Sequence, residues 1–252
     1  MTPEPTSAVP PEPQGMGEFS RLTGVLLEPT KAFEDIARRP TWLVPFLLVI
    51  AAGLAYITLF GQHVTWQRFF QHQMENPTVA ARMAQMPPEQ RERTLQMQVK
   101  FAGIGAGVAI VFFTLIALLV SSAIALVAVN AMGAALRFKQ IFGILAYAAL
   151  PIVVRYVLSI VVMFLKNPDD FNMQNPLAFN AAAFMDPING SKFLYTLFVT
   201  LDVFAIWSMF LGAIGVKAAA GKRLTFGGAF FAVALPTVLF ALLASTVAGL
   251  TS

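Results

Sequence analysis

Cysteine is absent from this 252-residue chain. That excludes disulfides, cysteine-ligated zinc and thiol nucleophiles, and leaves the redox compartment open. Charge is scarce too: Asp, Glu, Lys and Arg together make up 12% of residues, against about 25% in soluble domains. Only two histidines occur. What fills the chain instead is apolar, with 57% hydrophobic residues and a mean hydropathy of +0.70. A water-soluble core of this length cannot enclose so much apolar surface, whereas a bilayer can. The net charge of +4 does not signal nucleic acid, because the basic residues are scattered between apolar runs and form no patch.

A membrane-spanning helix needs about 20 mostly apolar residues. Five runs satisfy this: 42–60, 101–131, 141–165, 193–216 and 226–250. None alternates as a lipid-facing barrel strand would, so helices are expected. The second run exceeds one bilayer thickness and is expected to tilt or project into water. The fold class is therefore all-α, an integral membrane bundle of five transmembrane helices with a short interfacial N-terminal helix. Three regions are expected: a Pro-rich disordered tail over 1–17, a cytoplasmic juxtamembrane helix over 18–40, and a transmembrane domain over 41–252. The opening 1-MTPEPTSAVPPEPQGMG-17 has no basic stretch leading into an apolar one, so no cleavable signal peptide is expected.

Basic residues near span ends set the orientation. Arg21, Lys31, Arg38, Arg39, Arg137, Lys139, Lys217, Lys222 and Arg223 share one side, close to the membrane. Arg68, Arg82, Arg91, Arg93, Lys100, Lys166 and Lys192 lie in two longer loops on the other. The excess of nine over seven predicts a cytoplasmic N-terminus and an outside C-terminus.

Before the first span, 28-EPTKAFEDIARRP-40 has Pro29 in a first helical turn and Pro40 as a stop. Phe33, Ile36 and Ala37 share one face; Lys31, Glu34, Asp35 and Arg38 lie elsewhere. With Phe19, Leu22, Val25 and Leu26 upstream, the segment is expected to lie in the membrane interface on its apolar face. In the loop over 61–100, Asn76-Pro77 can start one helix, and Pro88-Glu89 another that continues into the second span. The loop over 166–192 is punctuated by Asn-Pro and Asp-Pro and is expected to form an irregular cap over the bundle.

Two ionisable residues lie well inside spans, Arg155 in the third and Asp202 in the fourth. Arg155 is ten residues before the outer end of its span at Leu165, and Asp202 nine after the outer start at Phe193. Both are then ~14–15 Å below the same face, on consecutive antiparallel helices. A lone charge at the bilayer centre costs about 2.5–3.5 kcal/mol on insertion scales, so the two are expected to pair. The pair serves either to fix helix register, which is favoured, or as a proton or ion relay.

Pro151 cannot donate to the Tyr147 carbonyl, nor Pro236 to that of Ala232, so kinks are expected at both. Gly103 with Gly107, and Gly212 with Gly215, suit close helix packing; GIGAG lacks the flanking strand and lysine of a phosphate loop. His63, His72 and Glu75 are too few for a metal site and are expected to be solvated. No nucleophile, base and acid set is evident, so no catalysis, metal or cofactor is expected.

The juxtamembrane stretch 24-GVLLEPTKAFEDIARRPTWLVPFLLV-49, the five spans, and 145-LAYAALP-151 resemble the Yip-domain family of membrane proteins. The stretches 87-PPEQRERTLQMQ-98 and 175-NPLAFNAAAFMD-186 resemble its bacterial members. The resemblance implies a multi-pass protein with a cytosolic N-terminus, in a bacterial inner membrane. Eukaryotic relatives act in membrane trafficking and bind prenylated small GTPases. Tyr147 and Pro151 match their second signature, with Ala146 replacing its glycine. The first, an Asp-Leu-Tyr-Gly-Pro motif, has no counterpart, so GTPase binding is not expected. The expected function is a non-enzymatic membrane scaffold or organising factor. The alternative is a transport component coupled through Asp202 and Arg155. Expected partners are the bilayer and either further copies of the chain or other membrane proteins.

Overall fold

The computed structural model describes residues 15–74, 77–186 and 190–250. Most of the expected disordered tail, the Asn76 cap, Glu75 and Pro187 lie outside the described residues. Among those described, eleven α-helices follow one another: α1 Glu18–Leu27, α2 Pro29–Arg38, α3 Leu43–His63, α4 Trp66–Gln73, α5 Pro77–Ala84, α6 Pro88–Ala131, α7 Phe138–Ala148, α8 Leu150–Leu165, α9 Lys192–Thr200, α10 Val203–Ala220 and α11 Phe226–Leu250.

Five helical segments are long and apolar enough to cross a membrane: α3, α6, the α7–α8 unit, α10 with its last turn, and α11. Each overlaps one of the five apolar runs of the sequence, the fourth only from Val203 onward. The 44-residue α6 is ~66 Å long at helical rise, far more than a bilayer requires. It starts at Pro88, where the missing N–H removes no helical bond, and projects past the membrane on the loop side. Its flank shows Phe112, Phe113, Ile116, Val120 and Val127 to the surroundings, an apolar surface suited to lipid or to another membrane helix.

The turn from α6 to α7 is held by one side chain. Asn130 Nδ2 donates to the Leu136 carbonyl at 3.0 Å, and Asn130 Oδ1 accepts from the Leu136 N–H at 2.8 Å. Gly133 takes the left-handed conformation there, at φ +87°, which a glycine adopts without steric cost.

The residues before α3 form two helices instead of one. The residue preceding a proline is pushed out of helical conformation. Glu28, before Pro29, is accordingly at φ −133° and separates α1 from α2. The expected facing of α2 is also corrected: Phe33 and Ile36 are fully enclosed by protein. They pack with Ile144, Leu145, Ala213 and Val216 in the main core, between α7 and α10. Gly215 makes room for this, since a Cβ there would collide with Ile144 and come within 2.7 Å of Phe33. An amphipathic stripe needs an apolar contact, and a groove in the bundle satisfies it as well as lipid does. Phe19 and Leu27 of α1 stay exposed.

A second core cluster, with Tyr56, Phe60, Val64, Met163 and Phe171, closes the loop end between α3 and α8. Phe171 comes from the 166–191 loop, its ring 6.1 Å from Phe60.

Candidate functional site

The fourth apolar run is interrupted, contrary to the continuous span expected over 193–216. After α9, Leu201 leaves helical geometry and Asp202 is extended, at φ −79° and ψ 172°. Asp202 is the N-cap of α10: its Oδ1 accepts from the Ala205 N–H at 2.7 Å. An aspartate in a helix competes for backbone donors and favours caps over interiors. The freed Val203 N–H donates to the Phe179 carbonyl at 3.1 Å. Thus the 166–191 loop reaches down to the break and satisfies it. Irregular backbone within a bilayer is tolerated only where protein or a polar cavity surrounds it.

Arg155 on α8 meets the same aspartate, with Nη1 3.1 Å from Asp202 Oδ2. The two ends of this pair differ. The Asp202 side chain is 8% exposed and uses both oxygens; that of Arg155 is 39% exposed and makes this one hydrogen bond. A guanidinium carries five N–H donors, so most of its donors have no protein acceptor among the described residues.

Two cavities meet at this pair. One, of ≈ 90 Å³, lies between α3, α8, the α9–α10 break and the loop, with Tyr56, Arg155, Asn175, Asn180 and Asp202 in its wall. Tyr56 is 6% exposed, and its hydroxyl has no hydrogen-bond partner. The other, a cleft of ≈ 440 Å³, lies between α3, α6, α7–α8, α10 and α11. Its wall is chiefly apolar, with Phe113, Ile152 and Phe240; the buried Ser208 hydroxyl on it is also without a partner.

The third span is interrupted at Ala149, between α7 and α8. Pro151 then falls in the first turn of α8, where a missing N–H is tolerated. Ala149 itself stays in the right-handed helical region, at φ −78° and ψ −3°, and its carbonyl accepts from the Ile152 N–H at 2.9 Å. α11 runs on through the buried Pro236 as one helix.

A second polar cluster joins α1, α2 and α7 at the opposite end from the loops. The Tyr147 hydroxyl donates to Glu18 Oε2 and lies 3.1 Å from Thr41 Oγ1. Thr41 in turn donates to Glu18 Oε1 at 3.0 Å and accepts from Arg21 Nη1 at 2.9 Å. Arg21 Nε and Nη2 both reach Asp35 Oδ2, at 2.8 and 2.7 Å, and both residues are buried. Burial works against the Arg21 charge, yet its hydrogen bonds to Asp35, with the nearby Tyr147 hydroxyl, prevail and hold its pKa above the ordinary value. Glu18, Asp35 and Thr41 were not singled out by sequence. The available signal was positional: Arg21 shares a helix face with buried Val25, and Asp35 sits beside buried Ile36.

The His63 ring lies tilted against Phe164, with centroids 4.6 Å apart, and its Nε2 is buried, which corrects its expected solvation. His72 is exposed on α4. Among the described residues no three His, Cys, Asp or Glu gather as metal ligands.

Neither a curated protein nor a solved structure matches this chain. A family model, the Yip1 domain, matches residues 23–247, a stretch that includes both interrupted spans, Arg155, Asp202 and Tyr147. The chain belongs to the Yip1-domain family of multi-pass membrane proteins.

Proposed function

We propose that this protein is a non-catalytic membrane organiser, in which a five-helix anchor holds α1 and α2 as a fixed platform on the cytoplasmic leaflet. The role is of scaffold or trafficking type, with copies of itself or other membrane proteins as partners, in a bacterial inner membrane. The observation that carries this reading is the Glu18–Arg21–Thr41–Asp35–Tyr147 network. A helix pair that merely floated on the interface would have no use for five interlocked polar side chains. The excess of basic residues at that end supports its cytoplasmic placement, and the exposed Phe19 and Leu27 give the platform apolar contact points.

The test joins crosslinking to flux. A photo-crosslinker at Leu27 in native membranes is expected to give discrete protein adducts, lost when Glu18→Ala and Tyr147→Phe release the platform. Proteoliposomes are expected to show no proton or ion flux above protein-free vesicles. Gradient-driven flux that disappears in Asp202→Asn would overturn the organiser in favour of a transport component. That second reading is favoured by the helix break at Asp202 beside Arg155, the arrangement by which transporters line midplane sites.

A further inference from the structure

We infer that Arg155 and the Tyr56 hydroxyl form an intramembrane binding site for the oxyanion of an amphipathic molecule, a phosphate or carboxylate carrying an apolar chain. The inference does not rest on the organiser reading and stands or falls separately from it.

The first ground is unequal satisfaction. Asp202 is spent, since one oxygen caps α10 and the other holds Arg155, and little of it is accessible. Arg155 is the accessible partner: its guanidinium lies over the Tyr156 ring, 5.7 Å from the centroid, and most of its N–H donors have no protein acceptor among the described residues. A guanidinium left this way in an apolar layer is costly, and its planar fork of donors matches an oxyanion better than any neutral group. An ammonium group is disfavoured, because the only carboxylate present is 8% exposed and already engaged.

The second ground is independent of the charges. The Tyr56 hydroxyl lines the same small cavity, is more than nine-tenths buried, and lacks a partner. Buried polar groups are normally hydrogen-bonded, so this hydroxyl is a waiting donor beside Arg155. The α10 N-terminus adds positive potential on the same side.

The third ground is shape. The ≈ 90 Å³ cavity holds only a small polar group. It joins, at Arg155, Tyr156 and Phe204, a cleft of ≈ 440 Å³ walled mainly by apolar side chains, within the size range of small-molecule sites. A free inorganic ion would leave the cleft unexplained, and a pure hydrocarbon would leave Arg155 and Tyr56 unexplained. An amphipathic anion accounts for both.

The experiment is native mass spectrometry of the purified full chain in neutral detergent, with titrations of phosphatidylglycerol, phosphatidylcholine, a long-chain fatty acid and free glycerol phosphate. Wild type is expected to retain one anionic amphipath at least about tenfold more tightly than phosphatidylcholine. Tyr56→Phe, which keeps the ring, is expected to weaken it about three- to tenfold, the effect of one hydrogen bond. Arg155→Gln with Asp202→Asn removes both charges while keeping an N-cap, and is expected to abolish the preference. Lys222→Gln, at the far end of α10, is expected to change nothing. Equal retention of phosphatidylcholine, unchanged binding in Tyr56→Phe, or a loss equal in Lys222→Gln would each overturn the site. Glycerol phosphate binding as tightly as the lipid would overturn the amphipathic class. If the double variant fails to fold, Tyr56→Phe still decides.

Discussion

The Tyr147 hydroxyl in the third span donates to the Glu18 carboxylate, 129 positions earlier in the chain. This contact fastens the N-terminal helices to the bundle. Tyr147→Phe keeps the ring and removes the donor, while Glu18 keeps Thr41 and Arg21. The expected loss is about 1 kcal/mol, seen as a lower unfolding temperature in detergent and faster proteolysis within α1 and α2.

Arg21→Ala is expected to be worse. It leaves Asp35 buried with only the distant Arg39, at 3.8 Å, and stranding one partner of a buried pair costs about 3–5 kcal/mol. The pH dependence follows from the raised Arg21 pKa. A raised pKa gives stability that is fully present below the unfolded-state value and lost only as pH climbs through the folded one. Both lie far above neutrality, so Arg21's own ionisation is expected to add no slope to wild-type stability around neutral pH. In Arg21→Met protonation relieves the Asp35 charge left without Arg21, so the deficit against wild type is expected to narrow as pH falls, which paired thermal melts check.

Two glycines on spans should respond in opposite directions. Gly215→Ala places a Cβ against Ile144 and 2.7 Å from the Phe33 ring, and overpacking of this kind costs about 1–3 kcal/mol. Gly105 has nothing within 4 Å, so Gly105→Ala is expected to be neutral or to add up to about 1 kcal/mol through helix propensity. Thermal melts of the two variants side by side check the sign.

The spans were legible because lipid leaves a chain so little choice: some 20 apolar residues in a row, with backbone bonds made within the helix. The two interruptions were less so. Pro151 points to a disturbance in the third span, and the helical ladder is interrupted at Ala149, two residues before it. In the sequence Asp202 reads as a charge inside a continuous apolar run; that the run breaks there depends on a distant loop, whose Phe179 carbonyl takes the Val203 N–H. The facing of α2 differs from expectation for another reason. An apolar stripe states that Phe33 and Ile36 avoid water, and is silent on whether lipid or a groove beside Gly215 receives them. Glu18 and Asp35 have local partners in Arg21 and Arg39 at helical spacing, but the contacts that tie the cluster together, Arg21 to Asp35, Thr41 to Glu18 and Tyr147 to Glu18, span 14 to 129 positions, and no local pattern reports those.

Asn130 offers a test of the α6–α7 turn. Its amide makes both hydrogen bonds to Leu136, so Asn130→Ala leaves a backbone donor and acceptor without partners in a part-buried turn. The expected cost is about 1–3 kcal/mol. Asn130→Asp keeps the acceptor and loses the donor, and is expected to fall between, which melts of all three proteins would show.

The cap role of Asp202 makes the Arg155 pair asymmetric, and a charge swap exposes this. If charge cancellation were the whole of the interaction, Asp202→Arg with Arg155→Asp would restore what either single change removes. The structure gives Asp202 a second task, accepting the Ala205 N–H at 2.7 Å, which arginine cannot perform because it has no acceptor. Loss of an N-cap costs about 1 kcal/mol, and in an apolar layer the exposed N–H adds to that. The swapped protein is therefore expected to remain less stable than wild type. Asp202→Asn with Arg155→Gln, which keeps a capping oxygen and carries no charge, is expected to exceed the swap in folded yield and unfolding temperature. Full rescue by the swap, with unfolding at the wild-type temperature, would show that the cap contributes nothing and that the break at Asp202 rests on the loop contact to Val203 alone.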